Sequence, residues 1–128
     1  MKEYKGIVFF DYDGTTVDEV DRIKTATPTT VESLNKLKEN GYLTMLCSGR
    51  TKRFLEADID KFQGAITCNG AFTEVDGEVF RDITIPDELM FDVIDKYFPR
   101  DTIIQLETQD VTYYLHNDAE FFQYFCRL

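Results

Sequence analysis

Four apolar residues in succession, Ile7-Val8-Phe9-Phe10, stop abruptly at Asp11. A continuous β-branched and aromatic run is the pattern of a strand buried on both faces of a parallel sheet. Further on, Thr27-Pro28 reads as a helix N-cap followed by proline at the first helical position. Val31, Leu34 and Leu37 then recur every third residue, and Gly41 provides the stop. Tyr42 to Cys47 is a second buried-type strand, ended by the turn Ser48-Gly49-Arg50. A short helix is expected from about Thr51 toward Ala57. A third strand, Gly64 to Cys68, ends at Asn69-Gly70. Strand, helix, strand, helix, strand is the alternation of an open α/β sheet.

The pattern changes near residue 71. Phe72 to Val75 and Glu78 to Ile83 flank Asp76-Gly77, a strong two-residue hairpin signal. Pro86 and Asp87 open another helix, with Leu89, Val93, Ile94 and Tyr97 on one face. Thr102 to Glu107 and Val111 to His116 read as two more strands, and a final amphipathic helix starts near Asp118. No internal repeat or low-complexity segment interrupts this order. The expected division is an α/β part over 1–77 and an α+β part over 78–128.

Composition narrows the function. The 128 residues hold 14 Lys and Arg against 24 Asp and Glu, a formal net charge of −10. A surface that acidic repels phosphate backbones, so nucleic-acid binding is not expected. No apolar run approaches the roughly 20 residues of a membrane span, so no membrane partner is expected either. The three cysteines, Cys47, Cys68 and Cys126, lack paired spacing and suggest reduced thiols in a cytoplasmic protein. The one histidine, His116, lies far from any Cys pair, which argues against zinc.

The sharpest chemical feature is Asp11-Tyr12-Asp13-Gly14-Thr15, directly after the first strand. In an open α/β sheet, ligands sit just beyond the carboxyl ends of the strands. Carboxylates at i and i+2 leaving a strand point to the same side, and repel unless a cation or a shared proton separates them. Gly14 lets the backbone turn closely around whatever binds there. Mg²⁺ suits such a pair, because it takes one or two carboxylates, keeps several waters and bridges to phosphate. A calcium loop does not fit, since neither its further acids nor its flanking helices are present. Ser48-Gly49-Arg50 offers a hydroxyl and amides at the neighbouring strand end, either a phosphate-binding arrangement or a plain turn. Asn69-Gly70 ends the third strand on the same edge, with a plain turn again the alternative.

These residues resemble the haloacid dehalogenase superfamily of phosphotransferases, and within it the sugar-phosphatase-like Cof type. FFDYDGTT matches the family's first motif, an apolar strand followed by D-x-D-G-T. LCSGRT matches the second, a strand ending in Ser or Thr, and GAITCNGA resembles the third-strand ending that precedes the cap domain. The resemblance implies a Rossmann-like parallel sheet, here its first three strands, with the start of an α+β cap of the C2 type. It implies Asp11 as nucleophile and metal ligand. Asp13 would be the general acid/base and would give its backbone carbonyl to Mg²⁺. Gly14 and Thr15 of the first loop, with Ser48, Gly49, Arg50, Asn69 and Gly70, would hold the phosphoryl group of a small phosphorylated substrate. At Arg50 the resemblance gives more weight to the backbone amide than to the side chain.

Position 16 departs from the family, being Thr where an apolar residue is common. The larger departure is that the third motif, a Lys, and the fourth, an acidic pair written G-D-x-x-x-D, are not found. The resemblance therefore covers the first half of a family member, and the chain is expected to stop inside the cap. A second reading follows: a half-protein acting as a binding or assembly module without turnover. In the family's strand order the first strand is central, so without its other neighbour Ile7 to Phe10 becomes an open edge. A second copy or the remaining half is expected to cover it. Asp18, Glu19 and Asp21 read as a solvated loop face rather than as further metal ligands, His116 as a surface or packing residue, and the aromatics from Tyr113 to Phe125 as cap core or as the lining of a substrate pocket.

Overall fold

The computed structural model describes residues 3–98 and 103–115. The expected helix from Asp118, with His116, Cys126 and the aromatics Phe121 to Phe125, lies outside them.

Helix α1 (Pro28–Glu39) starts at the expected cap, where the Thr30 amide donates to the Thr27 hydroxyl at 3.2 Å. It stops where Gly41 takes a left-handed φ of +84° and its amide donates to the Lys38 carbonyl at 3.0 Å. On either side of it lie β1 (Gly6–Asp11) and β2 (Tyr42–Cys47), paired in parallel from Gly6↔Tyr42 to Asp11↔Cys47. Strand β3 (Gly64–Thr67) continues the parallel set, with Cys47 opposite Ile66. This register brings Asp11, Cys47 and Ile66 level, so the three strand ends form one edge. Leu34 of α1 packs with Leu46, Ala65, Leu55 and Phe62 against Tyr12 and Val17, and Phe10 lies tilted on Phe62 at 5.6 Å.

The hairpin β4 (Phe72–Val75) and β5 (Glu78–Asp82) extends this same sheet, β4 running antiparallel to β3, in the order β1-β2-β3-β4-β5. Its turn is the expected one: Asp76 and Gly77 both have positive φ, 50° and 80°. Two compact units result, Met1–Ile83 and Thr84–Leu128, so 77/78 falls at the hairpin turn and the division comes after β5. The physical reason is the ladder from β3 through β4 to β5, closed by the Ile83 amide on the Ala71 carbonyl at 2.9 Å. Gly64 makes the β3–β4 approach feasible. A Cβ there would stand 2.7 Å from the Glu74 carbonyl oxygen and would strike the Met45 sulfur.

Three local expectations change. The helix over residues 51–57 is a 3₁₀ turn, Lys52–Leu55, followed by another, Ile59–Lys61. Leu55 and Asp58 are both fully buried. The main-chain bonds here close over three residues: the Phe54 amide donates to the Thr51 carbonyl at 3.1 Å, Asp58 to Leu55 at 2.9 Å and Lys61 to Asp58 at 2.9 Å. Strand β3 ends at Thr67, because Cys68, Asn69 and Gly70 form a tight turn with φ of 50°, 54° and 91°. Finally, β1 is not buried on both faces. It is an edge strand, and Ile7 and Phe9 are 52% and 59% exposed. Only the face carrying Phe10 meets the core.

In the second unit, α2 (Asp87–Tyr97) carries Asp87 and Glu88 in its first turn, favourable at a helix N-terminus. Strands β6 (Ile104–Glu107) and β7 (Thr112–Leu115) form an antiparallel pair. Their turn is held by the Thr108 hydroxyl, which accepts from the Val111 amide at 2.9 Å. Among the described residues no helix is long and apolar enough to cross a membrane.

Candidate functional site

Asp11 is the last residue of β1. Its carboxylate is exposed and has no hydrogen-bond partner among the described residues. The chain then turns tightly. The Tyr12 carbonyl accepts the Thr16 and Val17 amides at 2.9 and 3.0 Å, and the Gly14 amide donates to the Val17 carbonyl at 2.8 Å. Gly14 has a φ of +77°, which only glycine adopts without penalty. Thr16 is buried, and its hydroxyl donates to the Asp11 carbonyl at 2.7 Å. The threonine that departs from the family pattern thus ties down the backbone of the proposed nucleophile. An apolar side chain would lack that bond.

Asp13 and Arg50 meet across 37 residues. Arg50 Nε donates to one Asp13 carboxylate oxygen at 3.0 Å and Nη2 to the other at 2.5 Å. Nη2 also lies 3.4 Å from Glu19, and the guanidinium carbon sits 5.5 Å from the Tyr12 ring centre. The bonded Asp13 carboxylate holds the Arg50 guanidinium above its ordinary value, although burial pulls the other way. The side chain of Arg50 therefore does the joining. Its amide is already engaged, donating to Ser48 Oγ at 3.1 Å. Glu19, read from the sequence as a solvated loop acid, reaches this cation as well.

Ser48 follows β2 directly, and its amide donates to the Ile66 carbonyl at 2.9 Å. The Gly49 amide donates to no partner among the described residues, which leaves it available to an anion. The turns after β2 and β3 interlock. The Cys68 amide donates to the Arg50 carbonyl at 3.0 Å, and a Cβ on Gly49 would come within 2.9 Å of Asn69 Oδ1. Asn69 thus lies against the Ser48–Arg50 turn, in keeping with their common sheet edge. Beside them, burial and then the Asp11 carboxylate push the Cys47 thiol up.

The support beneath this edge is not legible in the sequence. Tyr12 is buried, and its hydroxyl donates to Asp58 Oδ2 at 2.8 Å. Burial, then that bond, pushes the Tyr12 phenol up to about 12. Burial pushes the Asp58 carboxyl upward too, but the Lys61 ammonium, the Ala26 amide and the Tyr12 hydroxyl together hold it below its ordinary value. Nothing in the spacing of Tyr12 and Asp58 advertises this pair, 46 residues apart.

As a site for a hard cation, the edge offers the open Asp11 carboxylate, and oxygen donors of this kind fit Mg²⁺ completed by water. Among the described residues no three His, Cys, Asp or Glu side chains gather into a metal cluster. The Asp13 carboxylate is bonded to Arg50, which leaves that residue its main-chain oxygen for a metal.

The fold is shared with solved structures. A phosphatase of the haloalkanoate (HAD) enzyme superfamily from Bacteroides thetaiotaomicron is 22% identical with a TM-score of 0.78, over 97% of this chain and 47% of its own. A subclass IIB sugar phosphatase of the same superfamily is 23% identical with a TM-score of 0.73, over 94% and 47%. A Thermotoga maritima protein is 25% identical with a TM-score of 0.73, over 98% and 48%. The chain therefore spans about half the length of the solved structures it matches. Comparison with curated protein sequences finds no match. The sequence model of haloacid dehalogenase-like hydrolases matches residues 8–125, nearly the whole chain. With Asp11, Asp13 and Ser48 on one sheet edge and that match along its length, the chain belongs to the haloacid dehalogenase-like hydrolase family.

Proposed function

We propose that the protein is a Mg²⁺-dependent phosphatase acting on small phosphate monoesters through an aspartyl-phosphate on Asp11. The observation that carries this reading is the open Asp11 carboxylate at the end of β1, two residues before an Asp13 clamped by Arg50. An Asp11 oxygen would attack phosphorus in line, and the bond from phosphorus to the ester oxygen would break. Released from Arg50, Asp13 would take up a proton from solvent and give it to the leaving oxygen, then take one from the water that cleaves the acyl phosphate. Inorganic phosphate would leave and Asp11 be regenerated. The Ser48 hydroxyl and the Gly49 amide would hold phosphoryl oxygens, with Gly14, Thr15, Asn69 and Gly70 shaping the loops around them. When bound, Mg²⁺ would offset negative charge on the phosphoryl group, the largest part of catalysis in phosphoryl transfer.

The lack of paired spacing among the three cysteines supports a cytoplasmic setting. The acidic balance argues against a nucleic acid, and a phosphorylated substrate would rely on local amide donors or a cation to overcome the same field. Because the third and fourth motifs are not found in these 128 residues, turnover is expected of a chain that also carries them. In such a chain Asp11→Asn should abolish phosphate release while leaving the circular dichroism spectrum unchanged. Retention of more than a small fraction of wild-type activity would overturn the assignment of Asp11.

A further inference from the structure

The proposed reaction uses the carboxylates on either side of Tyr12 but neither Tyr12 itself nor the carboxylate beneath it. Asp58 is fully buried and accepts from three donors: Tyr12 Oη at 2.8 Å, the Ala26 amide at 2.9 Å and Lys61 Nζ at 2.5 Å. These come from separate stretches of chain: the turn after β1, the approach to α1 and the segment before β3. Taking a charge out of water is costly, and well-packed apolar groups often serve stability as well or better. Filling space therefore does not explain an aspartate here. What a carboxylate adds is direction, because it holds the Tyr12 hydroxyl at a set distance and angle.

Tyr12 passes that restraint on in two ways. Its carbonyl closes the turn by accepting the Thr16 and Val17 amides, and Thr16 in turn bonds the Asp11 carbonyl. Its ring faces the guanidinium that grips Asp13. We propose that Asp58 is a positioning residue for the two-carboxylate turn, acting through the Tyr12 hydroxyl on the backbone that carries Asp11 and Asp13. The role rests on reading those two acids as the reacting pair, but the geometry it sets belongs to the turn and is measurable without turnover.

The test is amide hydrogen exchange by NMR on the 128-residue chain, comparing wild type with Tyr12→Phe, which removes one hydroxyl and keeps the ring. The Thr16 and Val17 amides are expected to exchange about tenfold faster, and those of β2 to stay within about twofold of wild type. The Arg50 Nε–H signal, which reports the bond to Asp13, should shift in the same variant. Asp58→Ala should reproduce both changes; if it fails to fold, Tyr12→Phe decides alone. Unchanged exchange at Thr16 and Val17, or equal acceleration in the turn and in β2, would overturn the proposal, the latter because it marks a general loss of stability. Failure of the phosphatase reading registers separately, as activity surviving in Asp11→Asn.

Discussion

Arg50 grips Asp13 with two nitrogens of its guanidinium, one on each carboxylate oxygen, at 3.0 and 2.5 Å. The pair joins the turn after β1 to the turn after β2, two segments that chain order keeps 37 residues apart. Both side chains are partly exposed, so solvent screens the attraction and the bond can open without unfolding anything. A clamp of this kind holds the proposed acid/base in place yet lets it turn toward an incoming ester.

The pair should therefore matter little to stability. Urea unfolding of Arg50→Ala is expected to differ from wild type by less than about 1 kcal/mol. In a chain that carries the remaining motifs, the same variant should lose activity, and Arg50→Lys should not restore it, because an ammonium cannot make the two-pronged contact. A loss of several kcal/mol would mean that the ion pair holds the fold rather than the site.

Asp58 should behave in the opposite way. Asp58→Ala leaves the Ala26 amide and the Tyr12 hydroxyl without their acceptor and Lys61 with only the Ala57 carbonyl, at a cost of about 3–5 kcal/mol. The Asp58 carboxyl lies below its ordinary 3.8 in the folded chain: burial raises it, and the three donors outweigh that. A depressed folded value means the stabilisation is complete above the unfolded value and is lost as pH falls through the folded one. The gap in melting temperature between wild type and Asp58→Ala should accordingly narrow below about pH 4. A gap that stays constant from neutral pH into that range would contradict this account.

Tyr12 provides the alkaline counterpart. Its phenol, raised to about 12 by burial and by Asp58, should be among the last of the seven tyrosines to ionise. A raised folded value makes this contribution complete below the unfolded value of 10.0 and lost as pH rises toward 12. In a phenolate absorbance titration, Tyr12→Phe should remove a late-titrating group. Loss of an early-titrating one would show the hydroxyl to be solvated.

Two glycines separate fold from site. Gly64→Ala should cost about 1–3 kcal/mol or more, because its Cβ meets the Glu74 backbone carbonyl at 2.7 Å, which the ladder cannot move. Gly49→Ala meets only the end of the Asn69 side chain, at 2.9 Å, which can swing away. Thermal melts should rank Gly64→Ala well below Gly49→Ala, and equal melts would count against this reading of the β3–β4 contact.

The exposed edge of β1 has its own consequence. Ile7 and Phe9 are 52% and 59% exposed on a strand with one unpaired side, and neither Lys nor Pro within it deters further pairing. We expect the 128-residue chain alone to associate with a second copy through this strand. Light scattering should give a dimer or larger species, and Phe9→Lys should return a monomer. A wild-type monomer at high concentration would refute it.

Local chemistry makes much of this architecture legible in the order of residues. The Thr27-Pro28 cap, the Gly41 stop and the Asp76-Gly77 turn act within a few residues of themselves, so their residue types suffice. The run Ile7 to Phe10 ending in Asp11 likewise announces a strand with acids at its tip. By contrast, the segment from Thr51 toward Ala57 reads locally as a helix, but its main-chain bonds close over three residues, giving a 3₁₀ turn at Lys52–Leu55 and a second at Ile59–Lys61. Strand β5 reads as the start of a second part, yet its ladder with β4 joins it to the first sheet.

The order of residues alone thus specifies most strand and helix limits, the acids at the first strand's tip and the family that the chain resembles. Two contacts of the site come from the folded chain instead: Arg50 takes Asp13 by its side chain across 37 residues, and Tyr12 rests on a carboxylate 46 residues away. Caps and turns depend on φ, ψ and the next few side chains, which residue order specifies directly. A hydrogen bond between distant residues depends on sheet register and on how loops cross above it, and those emerge only once the whole core has packed.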